Sequence, residues 1–343
     1  MNGLILLLTF VCSEAGAADA VQPVFESRFG FMGSRLDNSS GIRPGDDLGM
    51  AFSLDRNLLG VDVQMQPGLS GQLTAGVRVP AQSEEQASVF IHNAFLDVDV
   101  LSDDWLTVRM GMQATNFGAR EYFIRPTGPY HLVGPNPQEL ALVAGLVQAR
   151  DLGVRAMGDI AKGQASWDVM VFNGAGFMAP EDNRSKDVSA RLTTRIGEQV
   201  ILTGSGQRHV DGVDSERVDW AWSTMAEWRL DNVRLMAEYI GGRIGPEASE
   251  VLVGAQSAVA LDIPVSGGSI ERWSTTGRWG HFDPHAATQD ADAWMLFDGS
   301  VQQWWKTDSV LSIRSGLGYS VWMPMDLTEP VEHAALLELL VHR

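Results

Sequence analysis

The segment ARDLGVRAMGDIAKGQASWDVMVFNGAG, residues 149–176, decides the fold, because apolar and polar side chains alternate on both sides of a short Lys-Gly turn. Leu152 and Val154 share one parity, and Asp151 and Arg155 share the other. A period of two residues is typical of a β-strand with two unlike faces, and two such runs around a tight turn predict a β-hairpin. The face that carries Arg and Asp is expected to meet water, and the apolar face something else.

The same alternation recurs along the chain, hairpin after hairpin. It predicts about 16 strands of roughly 9 to 13 residues, the length with which a strand crosses a bilayer at a tilt. Short turns alternate with longer connections, as periplasmic turns alternate with outer loops in outer-membrane barrels. The sequence therefore predicts an all-β fold, a transmembrane antiparallel β-barrel that forms a single domain over residues 21–343. The longer connections include 81–88, 174–185 and 209–216.

Residues 1–20 predict a cleaved signal peptide, because an apolar run from Leu4 to Val11 is followed by small residues. Cys12 is the only cysteine, so we expect neither disulfides nor a cysteine metal site after export. A lipid anchor on Cys12 would need a small residue before it, where Val11 stands. No later apolar run has the length of a transmembrane helix, so any span must be made of strands. We expect the chain in the bacterial outer membrane, with its lipid as a partner.

The formal charge of -18 argues against nucleic acid as a partner and against adhesion to anionic lipid headgroups. A large soluble β protein is the alternative fold, since its strands would also alternate. Such a protein favours Lys, Glu and Thr on its wet faces, whereas Lys occurs here only at positions 162, 186 and 306. Arg interleaved with Asp suits a confined aqueous lumen better.

Tryptophan is frequent, and Trp105, Trp228, Trp304 and Trp305 lie near strand ends. This placement predicts an aromatic girdle at the membrane interface. The pair Trp220 and Trp222 lies in mid-strand, where ordinary packing or a lipid contact is expected instead.

One long segment, residues 115–148, interrupts the alternation with many Gly and Pro residues and a short apolar helical pattern at 138–147. Structureless segments of this length are usually functional. In a wide barrel it can fold inward, and Arg120, Tyr122, Arg125 and His131 would then line a constriction. The alternative is an extracellular lid that never enters the lumen.

Three stretches resemble the phosphate-selective porin O and P family. They are VRMGMQATNFGARE at 108–121, RDLGVRAMGDI at 150–160 followed by VMVFNGAGFMAPEDNRSKDVSARLTTR at 169–195, and MAEWRLDNVRLMAEYI at 225–240. The motifs come in family order, and the resemblance covers about residues 56–241. It implies a barrel of sixteen strands, often a homotrimer, that passes anions through a lumen where cations guide the solute.

Carried onto this chain, the resemblance implies anion-guiding roles for Arg109, Arg120, Arg125, Arg155, Arg191 and Arg195. Acidic residues share their inward faces, so a strongly positive phosphate path is not evident. We therefore expect a passive channel for small hydrophilic solutes or anions, without cofactor or metal. The expected pore-lining residues are Arg109, Arg120, Tyr122, Arg125, His131, Asp151, Arg155, Asp168, Arg191 and Arg195.

Candidate catalytic and metal motifs in the sequence are weak. His281 and His285 have helical metal spacing, but Pro284 opposes a helix there. His92 has the parity of the outward residues Ala94 and Leu96, yet no spacing selects a catalytic triad, and no enzyme is expected. The second hypothesis is a structural barrel that does not conduct and anchors an exported partner. The last segment, 329–343, fits either a final strand or a helix.

Overall fold

The structure is a computed structural model of the chain. It describes residues 21–37, 49–79, 88–101, 105–118, 150–161, 163–174, 186–211, 217–244, 250–286, 293–306, 312–325 and 331–342. Within these ranges, no helix has the length and hydropathy that a membrane span requires.

Sixteen strands follow one another in the described residues, as the alternation predicts. They are β1 (Val21–Asp37), β2 (Gly49–Gln66), β3 (Leu69–Val79), β4 (Ser88–Leu101), β5 (Leu106–Ala114), β6 (Arg150–Ile160), β7 (Ala165–Phe172), β8 (Asp187–Ile196), β9 (Val200–Asp211), β10 (Arg217–Leu230), β11 (Val233–Ile244), β12 (Glu250–Pro264), β13 (Ile270–Asp283), β14 (Trp294–Trp305), β15 (Ser312–Pro324) and β16 (Val331–His342).

Every strand pairs antiparallel with its neighbours in the chain, and β1 also pairs with β16. The β1–β16 register runs from Glu26 opposite His342 to Asp37 opposite Val331, so the sheet closes into a barrel. The transmembrane-type β-barrel prediction is confirmed at the level of fold. The helix considered for 329–343 is wrong, because pairing with both β1 and β15 holds this segment as a strand.

The two ends of the barrel differ in their connections. At one end the strands are joined by tight turns, such as residues 67–68, 197–199 and 231–232, and we call this the short-turn end. At the other, the long-loop end, the connections are longer, including the one between Ala114 and Arg150. In outer-membrane barrels the short turns face the periplasm.

The period of two sorts side chains to the two sides of the wall. On β6, Leu152 and Val154 are 50% and 49% exposed, whereas Asp151 and Arg155 are 1% and 6% exposed. Because directly opposed residues of paired strands share a face, this division carries around the barrel. The outer face is a band of exposed apolar side chains, as a wall in contact with lipid hydrocarbon requires.

Outward tryptophans lie near both ends of the band, but Trp304 is an exception. Trp304 is 6% exposed and faces inward, where its indole Nε1 donates to Ser274 Oγ at 3.0 Å. Its neighbour Trp305 faces outward. The girdle role expected for both is therefore wrong for Trp304, since adjacent strand residues cannot share a face. The outward tryptophans that are at least 36% exposed are Trp105, Trp228, Trp273 and Trp305 toward the short-turn end, and Trp220, Trp222 and Trp279 toward the long-loop end.

The outward position expected for His92 is also wrong. The β3–β4 register shifts between Thr74, which pairs with Asn93, and Ala75, which pairs with Ile91. His92 is the extra residue at this irregularity, and Ile91 takes the outward position at 54% exposure while His92 is 8% exposed. A bulge of this kind reverses parity beyond it, and no local sequence pattern marked it.

The division into faces predicts unequal costs for a charge at neighbouring mid-strand positions. Leu192, 55% exposed on the outer face of β8, replaced by Arg should destabilise the folded barrel in bilayers by about 2–4 kcal/mol. Its neighbour Thr193, on the inner face, replaced by Arg is the matched control and should cost far less. Denaturant titration in lipid vesicles measures both, and equal losses would contradict the orientation.

Candidate functional site

The inner wall from β4 to β8 carries charges of both signs in two adjacent rows. In the first row, Asp97, Arg109 and Arg155 occupy directly opposed positions on β4, β5 and β6. In the second, Asp168 on β7 is directly opposite Arg191 on β8. Four of the predicted pore-lining residues, Arg109, Arg155, Asp168 and Arg191, are thus brought together on one wall.

Arg109 is held by two interactions on this wall. Its guanidinium forms a fork with the Asp97 carboxylate, with Nε to Oδ1 and Nη2 to Oδ2 both at 2.7 Å. Its Cζ also lies 3.7 Å from the centroid of the Phe95 ring. A bidentate ion pair stacked on an aromatic ring fixes the orientation of the cation, so Arg109 is a preorganised group.

Asp168 connects the two rows. Its carboxylate pairs with Arg155 and, at 3.8 Å, with Arg191, and it is 4% exposed. Three guanidinium groups, those of Arg109, Arg155 and Arg191, therefore face two carboxylates, those of Asp97 and Asp168. These five side chains therefore concentrate charges of both signs on one stretch of the wall.

The chain turns into the barrel immediately after β5. The amide of Asn116 donates to Asp168 Oδ1 and accepts from Ser189 Oγ, and the backbone N–H of Gly118 donates to Ser205 Oγ at 2.9 Å. Asp168, Ser189 and Ser205 are inward side chains of β7, β8 and β9. Residues 115–118 thus lie against the concave side of the wall, and Phe117 is 0% exposed.

Gly118 allows the closest approach of this turn to the wall. Its φ is +63°, in the left-handed region, and a Cβ built on it would lie 2.7 Å from Glu238 Oε1 on β11. Any other residue would have to displace that carboxylate, which also accepts from Ser223 and Gln256. Glycine at position 118, directly after Phe117, therefore has a steric reason.

Asp151 faces inward as its parity predicts, but its carboxylate is occupied by backbone. Oδ1 accepts from the Leu152 N–H and Oδ2 from the Gly174 N–H, both at 2.6 Å. Asp187 is similar, accepting from the Val210 N–H at 2.9 Å and contacting His209 Nδ1 at 2.5 Å. Both are 1% exposed, so they tie strand ends together and present little charge to the lumen.

Arg195 lies apart from this group, at the short-turn end of β8, and is exposed. Near it on the inner face, Arg229 of β10 is directly opposite Arg234 of β11. Glu227, 0% exposed, contacts Arg229 at 3.0 Å between Oε2 and Nη2. These arginines were missed as a cluster, although the two-residue turn Asp231-Asn232 alone places Arg229 opposite Arg234.

A polar relay extends the site toward β2. Arg150 donates to Asn93, Asn93 donates to Gln72, and Gln72 donates to Asp62 Oδ1 at 2.6 Å. Near its end lies a cavity of about 350 Å³. Its lining includes Gln22, Asp62, Gln72, Asp97 and Arg109. Single amides on strands carry no sequence signal for such a relay, because register across separate hairpins decides it.

The opposite part of the inner wall is buried and mixes apolar with polar side chains. Leu296 on β14 and Leu336 and Leu340 on β16 are each 1% exposed. The charges there are matched in pairs, Arg278 with Asp298 and Arg314 with Glu338 at 2.5 Å. The polar group on β4 to β8 therefore faces a wall that offers few unmatched charges among the described residues.

The remaining predicted pore-lining residues are Arg120, Tyr122, Arg125 and His131. They lie outside the described residues.

Comparison with solved structures places the fold among outer-membrane barrels. The chain is similar to OprB of Pseudomonas putida, with a TM-score of 0.64 and 9% identity over 97% of this chain and 96% of that chain. It is similar to the outer membrane channel DcaP of Acinetobacter baumannii, with a TM-score of 0.59 and 9% identity over 94% and 97%. For an anion-selective porin from Comamonas acidovorans the TM-score is 0.55, with 8% identity over 94% and 99%.

Neither the protein-family models nor the curated proteins gave a match. At these identities the structural likeness shows the fold alone. This structural likeness does not distinguish the phosphate-selective family from other porin families.

The shared carboxylate predicts a stability effect. Asp168→Ala removes the acceptor that Arg155, Arg191 and Asn116 share, and should lower the free energy of unfolding by about 3–5 kcal/mol. Asp159→Ala, at an inward position of β6 near the short turn, is the control and should cost less than about 1 kcal/mol. Urea titration in detergent micelles compares them, and equal losses would show that Asp168 does not hold the network.

Proposed function

We propose that the chain is a porin of the bacterial outer membrane, a passive diffusion channel for small hydrophilic solutes. The observation that carries the proposal is the course of residues 115–118, which enter a closed barrel and bind its charged inner wall. A segment that begins inside the barrel is positioned to narrow the bore. Selection then follows from bore diameter and from the local field of the lining charges, and no bond is made or broken.

The preference is proposed to be for anions. The group on β4 to β8 has three guanidinium groups beside two carboxylates, and Arg229 and Arg234 are directly opposed on the inner face at the short-turn end. Asp151 and Asp187, which would oppose this field, are buried and saturated by hydrogen bonds. A phosphate-type anion, as the resemblance implies, fits guanidinium groups well.

The rest of the proposal comes from the sequence. Residues 1–20 act as the export signal, residues 115–148 form the constriction, and Arg120, Tyr122, Arg125 and His131 line it. A homotrimer is the assembly that the resemblance implies. One solved neighbour, OmpT of Vibrio cholerae, is described in a trimer form.

A structural barrel that does not conduct is the second candidate. The buried inner wall of β14 to β16 favours it, because inward side chains such as Arg314 and Leu336 have 1% of their surface exposed. In a wide water-filled bore such side chains would be wet.

Single-channel recording in planar bilayers separates the two functions. A porin gives stepwise conductance that scales with salt concentration. Verified insertion without current steps would refute the channel and support the structural barrel.

The constriction residues are tested by ion selectivity. Arg120→Ala and Arg125→Ala should each move the reversal potential in a salt gradient toward cations, because each removes a positive charge from the narrowest part of the path. Arg208→Ala, on the outer face, is the control and should leave the potential unchanged. An unchanged potential in Arg120→Ala and Arg125→Ala would place both side chains outside the constriction.

A further inference from the structure

A groove of about 390 Å³ lies on the outer wall of β5 to β7. Met110, Leu152, Val154 and Val171 line it, and all four have outward parity and are 44–50% exposed. The backbones of Gly111 and Gly153, which are directly opposed, contribute to its floor. The groove therefore opens toward lipid, and its lining suits an acyl chain.

The long-loop end of this groove is polar. Asn173 and Lys186 complete its lining there, and Lys186 is exposed. Lys186 precedes β8 and has the parity of Val188, which faces outward at 39% exposure. A cation thus stands at the point where the apolar groove reaches the rim of the barrel.

Two further cations, on β9 and β11, follow Lys186 around the rim of the barrel. Arg208 of β9 is directly opposite Val188, Trp220 of β10 is opposite Arg208, and Arg243 of β11 is opposite Trp220. Trp220 is 50% exposed, and the Arg208 Cζ lies 5.8 Å from its ring centroid. The row Arg208, Trp220 and Arg243 therefore faces outward at the level where an aromatic girdle meets headgroups.

The placement of these charges is informative because the chain as a whole has a formal charge of -18. A cation on the lipid-facing side is tolerated near the interface and gains when an anionic headgroup lies next to it. Lys186 lines the apolar groove, and Arg208 on β9 and Arg243 on β11 follow it around the outer face toward the same long-loop end. We name these three residues, Trp220 and the groove the rim site.

We propose that the rim site binds a phosphorylated lipid of the outer leaflet. One acyl chain lies along Met110, Leu152, Val154 and Val171, and the phosphate of the headgroup lies among Lys186, Arg208 and Arg243. The cations supply charge complementarity to phosphate, and Trp220 lies between Arg208 and Arg243 in the strand register on the outer face. This proposal departs, at this rim, from the expectation that the acidic chain avoids anionic headgroups.

The test is native mass spectrometry of the delipidated protein in a neutral detergent, titrated with lipid A that bears two phosphates. The variant Lys186→Gln/Arg208→Gln/Arg243→Gln should bind about 100-fold more weakly, since each removed cation near an anionic headgroup accounts for about fivefold. The control Arg195→Gln/Arg229→Gln/Arg234→Gln removes three charges from the inner face and should bind as the parent does. Heat-dependent gel mobility verifies that both barrels are folded.

Three results would overturn the proposal. The first is parent-like affinity in the rim variant, and the second is an equal loss in the inner-face control. The third is equal affinity of the parent for lipid A stripped of both phosphates, which would show that the groove selects acyl chains alone. A changed oligomer mass in the rim variant with lipid binding intact would also refute it and assign the surface to a second copy of the chain.

Discussion

The pairing of β1 with β16 is the constraint on which the rest of the structure depends. A sheet in hydrocarbon cannot leave backbone N–H and C=O groups unpaired, because nothing there replaces water as a partner. Joining the first and last strands removes both edges at once. Closure also separates an outside from an inside, so the two-residue period acquires a meaning that it lacks in an open sheet. Exposed Leu152 and buried Asp151 are neighbours in sequence, yet Leu152 faces the outside of the barrel and Asp151 faces the inside.

The fold could be predicted from the sequence because parity and tight turns are local. The site could be predicted only in part, because its contacts join strands whose relative register no local pattern records. Arg109 and Asp168 were recognisable as inward residues, but the sharing of Asp168 by Arg155, Arg191 and Asn116 depends on three separate registers. His92 and Trp304 show where parity misleads. A bulge reverses the parity of β4 at His92, and Trp304 cannot face outward with Trp305 because adjacent residues of a strand lie on opposite faces.

The number of charges in the lumen is a poor guide to its field. Asp151 was counted from the sequence as pore-lining, and Asp187 is likewise an inward acidic residue, yet backbone N–H groups bind both carboxylates. Such carboxylates resemble caps more than ion sites, since their charge is satisfied by local dipoles. At the short-turn end, by contrast, Arg229 and Arg234 are directly opposed on the inner face. The formal charge of the whole chain therefore does not give the sign of the field at a particular part of the inner wall.

The inward turn at residues 115–118 also constrains the order in which the barrel is built. These residues lie between β5 and β6 in the chain, yet they bind β7, β8 and β9 from the concave side. A peptide enclosed in this way is most simply laid down while the sheet is still open, since later it would have to thread through a mouth. We therefore expect a curved half-barrel to form around this turn first, and β1 and β16 to pair last.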